Sequence, residues 1–319
     1  MNKVGVQTKG ILDVLCADAA ISMIADAGFE RIDFNLDTHL QNFEIYEREI
    51  NSFFDKSEEE LIAFFTPLKE AMKKYGISAS QMHAPYPVLV YGHDKANKYM
   101  LENVIPKSFA IGSFLEIPYM VIHPYKQQYY TDKKTEREQN ISFFEKMIPY
   151  IKRYHVSVLL EDLYENIGGR MVESVCNDPD ETACDIDILN SMVGKINDTE
   201  AFGICVDSGH LNLVGQDPYE YITTLGKRIK ALHLHDNDGV GDYHQLPYSY
   251  GGAGGNHQLG IDWESFTRAL ADIHYEGTLS FETFPCMGSF PEGVTASVLR
   301  TIAAVGRSFA GDIEKERAD

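Results

Sequence analysis

Six short apolar runs in this chain of 319 residues each lead into a side chain that can hold a metal ion or move a proton. QMHAPY carries His83, MVIHPY carries His123, and VLLED carries Glu161. ICVDSGH supplies Asp207 with His210 three residues on, ALHLHD supplies His233, and LSFET supplies Glu282. An imidazole or carboxylate placed after an apolar run is costly to bury unless it is paired or ligated. Taken alone, a histidine at such a place is more often a hydrogen-bonded structural residue. Glu282 alone could answer to an arginine on a neighbouring strand. Six such residues in succession are better explained by one shared site. Carboxylate and imidazole without thiolate suit a divalent cation, Zn, Mn or Co ahead of Mg. His235, two residues beyond His233, would face the same way on a strand. Asp236 fits an H-x-x-D spacing with His233 and Asp238 fits it with His235, so spacing leaves both histidines open.

The elements that must position these residues read as strands over 4–7, 31–36, 78–83, 119–123, 156–161, 202–207, 229–233 and 278–282. Helical spacing fills the intervals, at 58–75 (with Pro67 as an expected kink), 95–115, 136–154, 263–274 and 294–309. Gly28, Gly76 and Gly277 stand where helices are expected to stop before the next strand. Eight strand–helix alternations predict an α/β fold, a single (β/α)8 TIM barrel spanning residues 1–319 as one domain. An open doubly wound sheet is the alternative, but VGVQTKGIL lacks the glycine-rich phosphate loop such sheets carry after the first strand. The longest irregular segments, 35–57, 164–183 and 236–261, all follow strands, on the face where barrels place their active sites.

The charge balance excludes some partners. With 28 Lys and Arg against 48 Asp and Glu, the net charge of −20 repels polyanions, so nucleic acid is disfavoured as a ligand. Five cysteines without a CxxC pair read as reduced thiols, and neither a leader-like segment nor a membrane-length apolar run is evident. A cytoplasmic protein without a membrane partner is the expectation.

In combination, HAPY at His83, HP at His123, LLE at Glu161, CVDSGH at 205–210 and LHLHDND at 232–238 resemble the sugar-phosphate isomerase/epimerase superfamily. These are the xylose-isomerase-like barrels, which also include endonuclease IV. The resemblance runs from residue 83 to residue 282. It implies one divalent metal ion per chain held by Glu161, Asp207, His233 and Glu282, with the H-x-x-D fit favouring His233 over His235. It implies a sugar or sugar phosphate as substrate, with His210 touching a substrate oxygen. Glu161 and Glu282 would exchange the proton α to a ketose carbonyl through an enediolate. The rival within the family is a zinc-dependent abasic-site phosphodiesterase. For it, His83, His123, His210, Asp242 and His244 (the last two in GDYHQLP) complete a set with room for up to three metal ions. A non-catalytic sugar- or metal-binding barrel is a third reading.

Against DNA stands the loop over 37–60, with eight acidic residues and two basic ones, expected to line the active-site face. LPYSYGGAGGNHQLGIDW after His244 also departs from the compact glycine motif common there. Lys126, Lys133, Lys134 and Arg170 are the candidates for a substrate phosphate, each also readable as a solvated loop charge. Tyr125, Tyr129, Tyr130, Tyr248 and Tyr250 would either cap a sugar ring or pack the interface of a homo-oligomer.

Overall fold

Eight parallel strands form the centre of the molecule: β1 (Val4–Gln7), β2 (Arg31–Asn35), β3 (Ser78–His83), β4 (Tyr119–Val121), β5 (Ser157–Glu161), β6 (Phe202–Asp207), β7 (Ile229–His233) and β8 (Leu279–Phe281). The computed structural model describes residues 1–127, 131–196, 198–251 and 259–318. Tyr129, Tyr130 and most of the GGAGG tract lie outside the described residues. Hydrogen bonds run β7–β6–β5–β4–β3–β2–β1–β8. Leu234 closes the ring: its N–H donates to Ser280 O at 2.8 Å, and its carbonyl accepts from Glu282 N–H at 3.0 Å. The strands match the sequence reading with ends trimmed by at most two residues. Each strand is buried on both faces, which is why it reads as an apolar run.

The helices depart from expectation where proline or a side chain decides. Glu58–Tyr75 begins at a Ser57/Glu60 capping box, runs through Pro67, and stops at left-handed Gly76. The expected 136–154 helix is two, Lys133–Glu145 and Ile148–Tyr154, with Pro149 at the start of the second. Proline has no N–H to give to the preceding turn, so the helix restarts there. The expected 95–115 helix likewise includes a wide-turned segment, Met100–Val104, before Ile105–Phe114 begins with its own early proline. Gly277 does not end a helix, because Trp263–Asp272 stops earlier. The segment 164–183 is not irregular throughout, since Tyr164–Ile167 and Arg170–Glu173 pair as an antiparallel hairpin. Thr295–Glu316 crosses the barrel wall at Gly306, where an added Cβ would lie 2.4 Å from Val4.

The acidic loop after β2 is pinned by aromatic packing. His39 stacks on Phe53 at 4.4 Å and meets Phe64 and Phe65 edge-on. Its acids have local partners: Asp37 with Lys9 at 2.5 Å, Asp55 with the Tyr99 hydroxyl at 2.7 Å, and Glu44 with the Gln41 N–H at 2.8 Å. Asn42 and Tyr46 are the loop residues among the described walls of the cavity below, so none of the loop's acids lines the cavity itself.

Burial lowers the His39 pKa to about 4, with Asp37 opposing in part. Between about pH 6.5 and 4 the unfolded chain therefore takes up a proton that the native chain does not, and stability falls as pH falls through that window. His39→Phe, which keeps the stack, is expected to lose less stability over that window by on the order of 2 kcal/mol. Urea denaturation of both proteins across the pH range measures this, and parallel curves would contradict it.

Candidate functional site

Strand ends deliver the side chains. His83 and Glu161 are the last residues of β3 and β5, Asp207 and His233 the last of β6 and β7, and Glu282 directly follows β8. His233 Nδ1 lies 2.9 Å from Glu161 Oε1, 3.2 Å from Glu282 Oε2 and 4.0 Å from Asp207 Oδ2. Glu161 Oε2 faces His123 Nε2 at 3.0 Å and His83 Nε2 at 3.2 Å. Asp242 Oδ2 lies 3.2 Å from His244 Nε2 and 3.7 Å from His210 Nε2. Every candidate metal-holding residue read from the sequence thus joins one connected cluster. Glu161, Asp207 and His233 are fully buried, and Glu282 is partly open at 12% exposure.

His233 ends β7 and His235 lies two residues beyond it, and the two meet different partners. His235 Nε2 sits 2.9 Å from Asp207 Oδ1, and its ring stacks on His244 at 3.9 Å. Asp207 also caps the helix Ser208–Val214, accepting from His210 N–H at 2.8 Å. The next residue in that turn, Gly209, is where the His235 ring passes the backbone.

Four histidines are each oriented by a bond from one ring nitrogen, leaving the other nitrogen to the cluster. His83 Nδ1 donates to Ala84 O at 2.7 Å, His210 Nδ1 to Asp162 O at 2.7 Å, and His244 Nδ1 to Glu282 O at 3.0 Å. His233 uses its other nitrogen, Nε2 donating to Asp33 Oδ2 at 3.0 Å. A neutral imidazole with one N–H so used presents only a lone pair from the other nitrogen. That lone pair then faces carboxylate oxygens, which are also acceptors. Only a second proton or a cation can occupy such a junction. A ligand histidine held by a bond on its far nitrogen is the usual arrangement around bound metal.

Electrostatics reflect the same crowding. Burial pushes Glu161 upward, but His233 and His123 outweigh it and hold the carboxyl well below the usual range. Asp207 is lowered against its burial by His210 and His235, and Asp242 by His244 and His210. His244 is raised to about 9 by Asp242 against its own burial. His123 is instead lowered to about 4 by burial, which Glu161 only partly offsets. Among the described residues, three groups could hold a metal ion: Glu161, Asp207, His233 and Glu282; His83, His123 and Glu161; and His235, His244 and Glu282. Within each, one donor atom per residue lies within 4.8 Å of the others.

Above the cluster opens a cavity of about 400 Å³. Tyr46, Tyr86, Tyr91 and Tyr164 are among its walls, and none was singled out from sequence. Tyr86 lies 4.3 Å from the His123 ring, and the Tyr164 hydroxyl donates to Asp242 at 3.3 Å. The HAPY motif was the available signal for Tyr86. Of the tyrosines that were singled out, Tyr248 packs on Phe309 instead, away from these walls. Lys126 is the cavity's lysine, and it faces Tyr164 O at 3.1 Å and Glu165 at 3.5 Å. Lys133 and Lys134 pair with Glu173 and Glu138, and Arg170 stands exposed on the hairpin.

Residues 21–302 match the family model described as xylose isomerase-like TIM barrel. Over 81 residues, 25% of the chain, the sequence is 37% identical to the uncharacterized protein y4fM of Sinorhizobium fredii, of which the match spans 23%. A D-tagatose 3-epimerase-like protein superposes with a TM-score of 0.65 at 18% identity, over 98% of each chain. The IolI protein, solved with a zinc atom bound, superposes at 0.66 with 17% identity, over 98% of this chain and 97% of its own. At such identities these two likenesses bear on fold. Among the described residues, no helix is long and apolar enough to cross a membrane.

A Cβ on Gly209 would stand 1.9 Å from His235 Cε1, so Gly209→Ala must drive the ring off Asp207. Overpacking of this kind is expected to cost about 1–3 kcal/mol. The denaturation midpoint reports it, and an unchanged midpoint would contradict the packing.

Proposed function

The chain belongs to the xylose isomerase-like TIM barrel family, and from that premise we propose that it is a metal-dependent epimerase or isomerase acting on an unphosphorylated ketose. The observation that carries this reading is the placement of two carboxylates, Glu161 and Glu282, against the same nitrogen of His233 at the floor of a sugar-sized cavity. Glu161, Asp207, His233 and Glu282 would hold the ion, a set of three carboxylates and one imidazole that suits Zn, Mn or Co. When bound, a divalent cation supplies charge that polarises a ketose carbonyl and its neighbouring hydroxyl.

The protein's own groups do the rest. Glu282, open to the cavity, removes the proton from the carbon α to the carbonyl, leaving its electron pair in an enediolate. Glu161, taking up a proton from His83 Nε2 3.2 Å away, passes it to that carbon from the other face for epimerisation, while Glu282 later releases the abstracted proton to solvent. His210, with Nδ1 fixed on Asp162, turns Nε2 toward a substrate oxygen. Tyr86 and Tyr164 offer ring faces to the sugar and limit water at the reacting carbon.

The case against a phosphate is electrostatic. Among the described residues the cavity's one lysine already faces Glu165, while Glu161, Glu165, Asp242 and Glu282 all line the same space. A likeness to a protein named for D-tagatose 3-epimerase agrees with a free ketose.

A second reading, an abasic-site phosphodiesterase, draws on the His83–His123–Glu161 group and on Asp242 between His210 and His244. It requires close to three zinc ions per chain and cleavage of an abasic duplex.

Metal-loaded protein in deuterated water is expected to label the α-carbon of at least one free ketose in a panel, with the matching phosphates at least tenfold poorer. No exchange anywhere in the panel overturns the proposal, and preferred phosphates overturn the substrate class. Glu282→Gln is expected to lower exchange by roughly 10²–10⁴-fold, the span of general acid–base catalysis. Full exchange in that variant would remove Glu282 from its role.

A further inference from the structure

Of the four oriented histidines, three are held by backbone carbonyls, which substitution cannot remove. His233 is held by a side chain, Asp33 in the middle of β2. We propose that Asp33 is the positioning residue that makes His233 present Nδ1, rather than Nε2, to a bound divalent ion, and that Gln81 locks Asp33 for this task. The inference rests on the metal-binding reading above.

The geometry selects one tautomer. Asp33 Oδ2 already accepts from Gln81 Nε2, so toward His233 it is an acceptor as well, and the His233 nitrogen 3.0 Å away carries the proton. Nδ1 is then left with its lone pair, pointing among Glu161, Glu282 and Asp207. Without Asp33, Nδ1–H could instead donate to Glu161 at 2.9 Å, which would satisfy the ring and cost the ion a ligand. Asp33 therefore disfavours the tautomer that competes with metal.

Gln81 on β3 fixes the carboxylate. Its Nε2 donates to the same Asp33 oxygen at 2.8 Å and to Leu232 O at 3.2 Å, the residue preceding His233. The chain β2–β3–β7 thus references the imidazole to its own strand across the barrel. Asp33 is 2% exposed, and no lysine or arginine is among its hydrogen-bonding or ion-pair partners; its other oxygen, Oδ1, is buried without a hydrogen bond. A carboxylate in that position is a net cost to folding unless something else depends on it.

The test uses the full chain loaded with cobalt(II), its affinity set by chelator competition at constant pH and its ligand field read from visible absorption. Asp33→Ala is expected to weaken cobalt ten- to hundredfold, as loss of an outer-shell partner does. Asp33→Asn, whose carbonyl can still accept the Nε2–H without the charge, should fall between it and wild type. In zinc-loaded, ¹⁵N-labelled protein, wild-type His233 should show a proton on Nε2 and a metal-shifted Nδ1. Ser280→Ala, equally buried in β8 but hydrogen-bonded to no histidine, should leave affinity and spectra unchanged. If Asp33→Ala does not fold, the near-isosteric Asp33→Asn decides. Should wild type bind cobalt and the folded Asp33 variants bind equally tightly with unaltered spectra, this inference falls and the metal reading stands. Should wild type take up no cobalt, both fall.

Discussion

Lone pairs facing lone pairs govern this structure. Once a bond on the far side of each ring is made, His83, His210, His233 and His244 turn an acceptor nitrogen toward Glu161, Asp242, Glu282 and Asp207. Such a junction is repulsive until positive charge enters it, because desolvated carboxylates cannot recover their hydration from imidazole lone pairs. The positive charge is a proton on each ring or a shared cation. The barrel supplies the rigidity that keeps these acceptors together in spite of that repulsion.

That rigidity comes from where the side chains are rooted. Asp207, His83 and Glu161 terminate strands paired on both sides, and His233 ends β7, paired with β6 and tied to β8 through Leu234, so their Cα positions are fixed by the sheet. Closure through Leu234 brings β7 and β8 together and places Glu282 one residue past the ladder, partly open to the cavity. Placement and exposure separate the two glutamates. Glu161, ringed by His83, His123 and His233, has little freedom, whereas Glu282 can meet a ligand. A pair of carboxylates with unequal environments is what an acid–base pair requires.

The strands were legible because a parallel barrel strand is buried on both faces and so reads as an apolar run, and the site was legible because its residues interrupt those runs at their ends. What escaped notice lies where the signal is different in kind. Asp33 and Gln81 sit inside strands, as interior polar residues of RIDFN and SASQMH, whereas the residues singled out were those at strand ends. Tyr46 from the short helix Asn42–Glu47, Tyr164 from the hairpin and Tyr91 from a turn reach the cavity from connections between the barrel elements, which the barrel's periodicity does not encode. The helix divisions near Pro106 and Pro149 were written in the sequence as prolines, but Pro67 sits inside an unbroken helix, so proline alone does not predict a break. Counting acids over 37–60 does not show which of them are locally partnered, as Asp37, Glu44 and Asp55 are by Lys9, Gln41 and Tyr99.

The two histidines at and just beyond the end of β7 show how one chain segment can serve both layers of a site. Alternation puts His233 and His235 on the same face, yet successive inward residues stand at different depths along the barrel axis. The lower ring reaches Glu161, Glu282 and, behind it, Asp33. The upper ring reaches Asp207, and stacks on His244 beside Asp242. Asp207, on the adjacent strand, consequently faces both: 4.0 Å from His233 and 2.9 Å from His235. A change at His235 would therefore act on the lower cluster through the orientation of Asp207, and on the upper one through the stack with His244. Depth along the axis, which no one-dimensional spacing records, is what distinguishes the two positions.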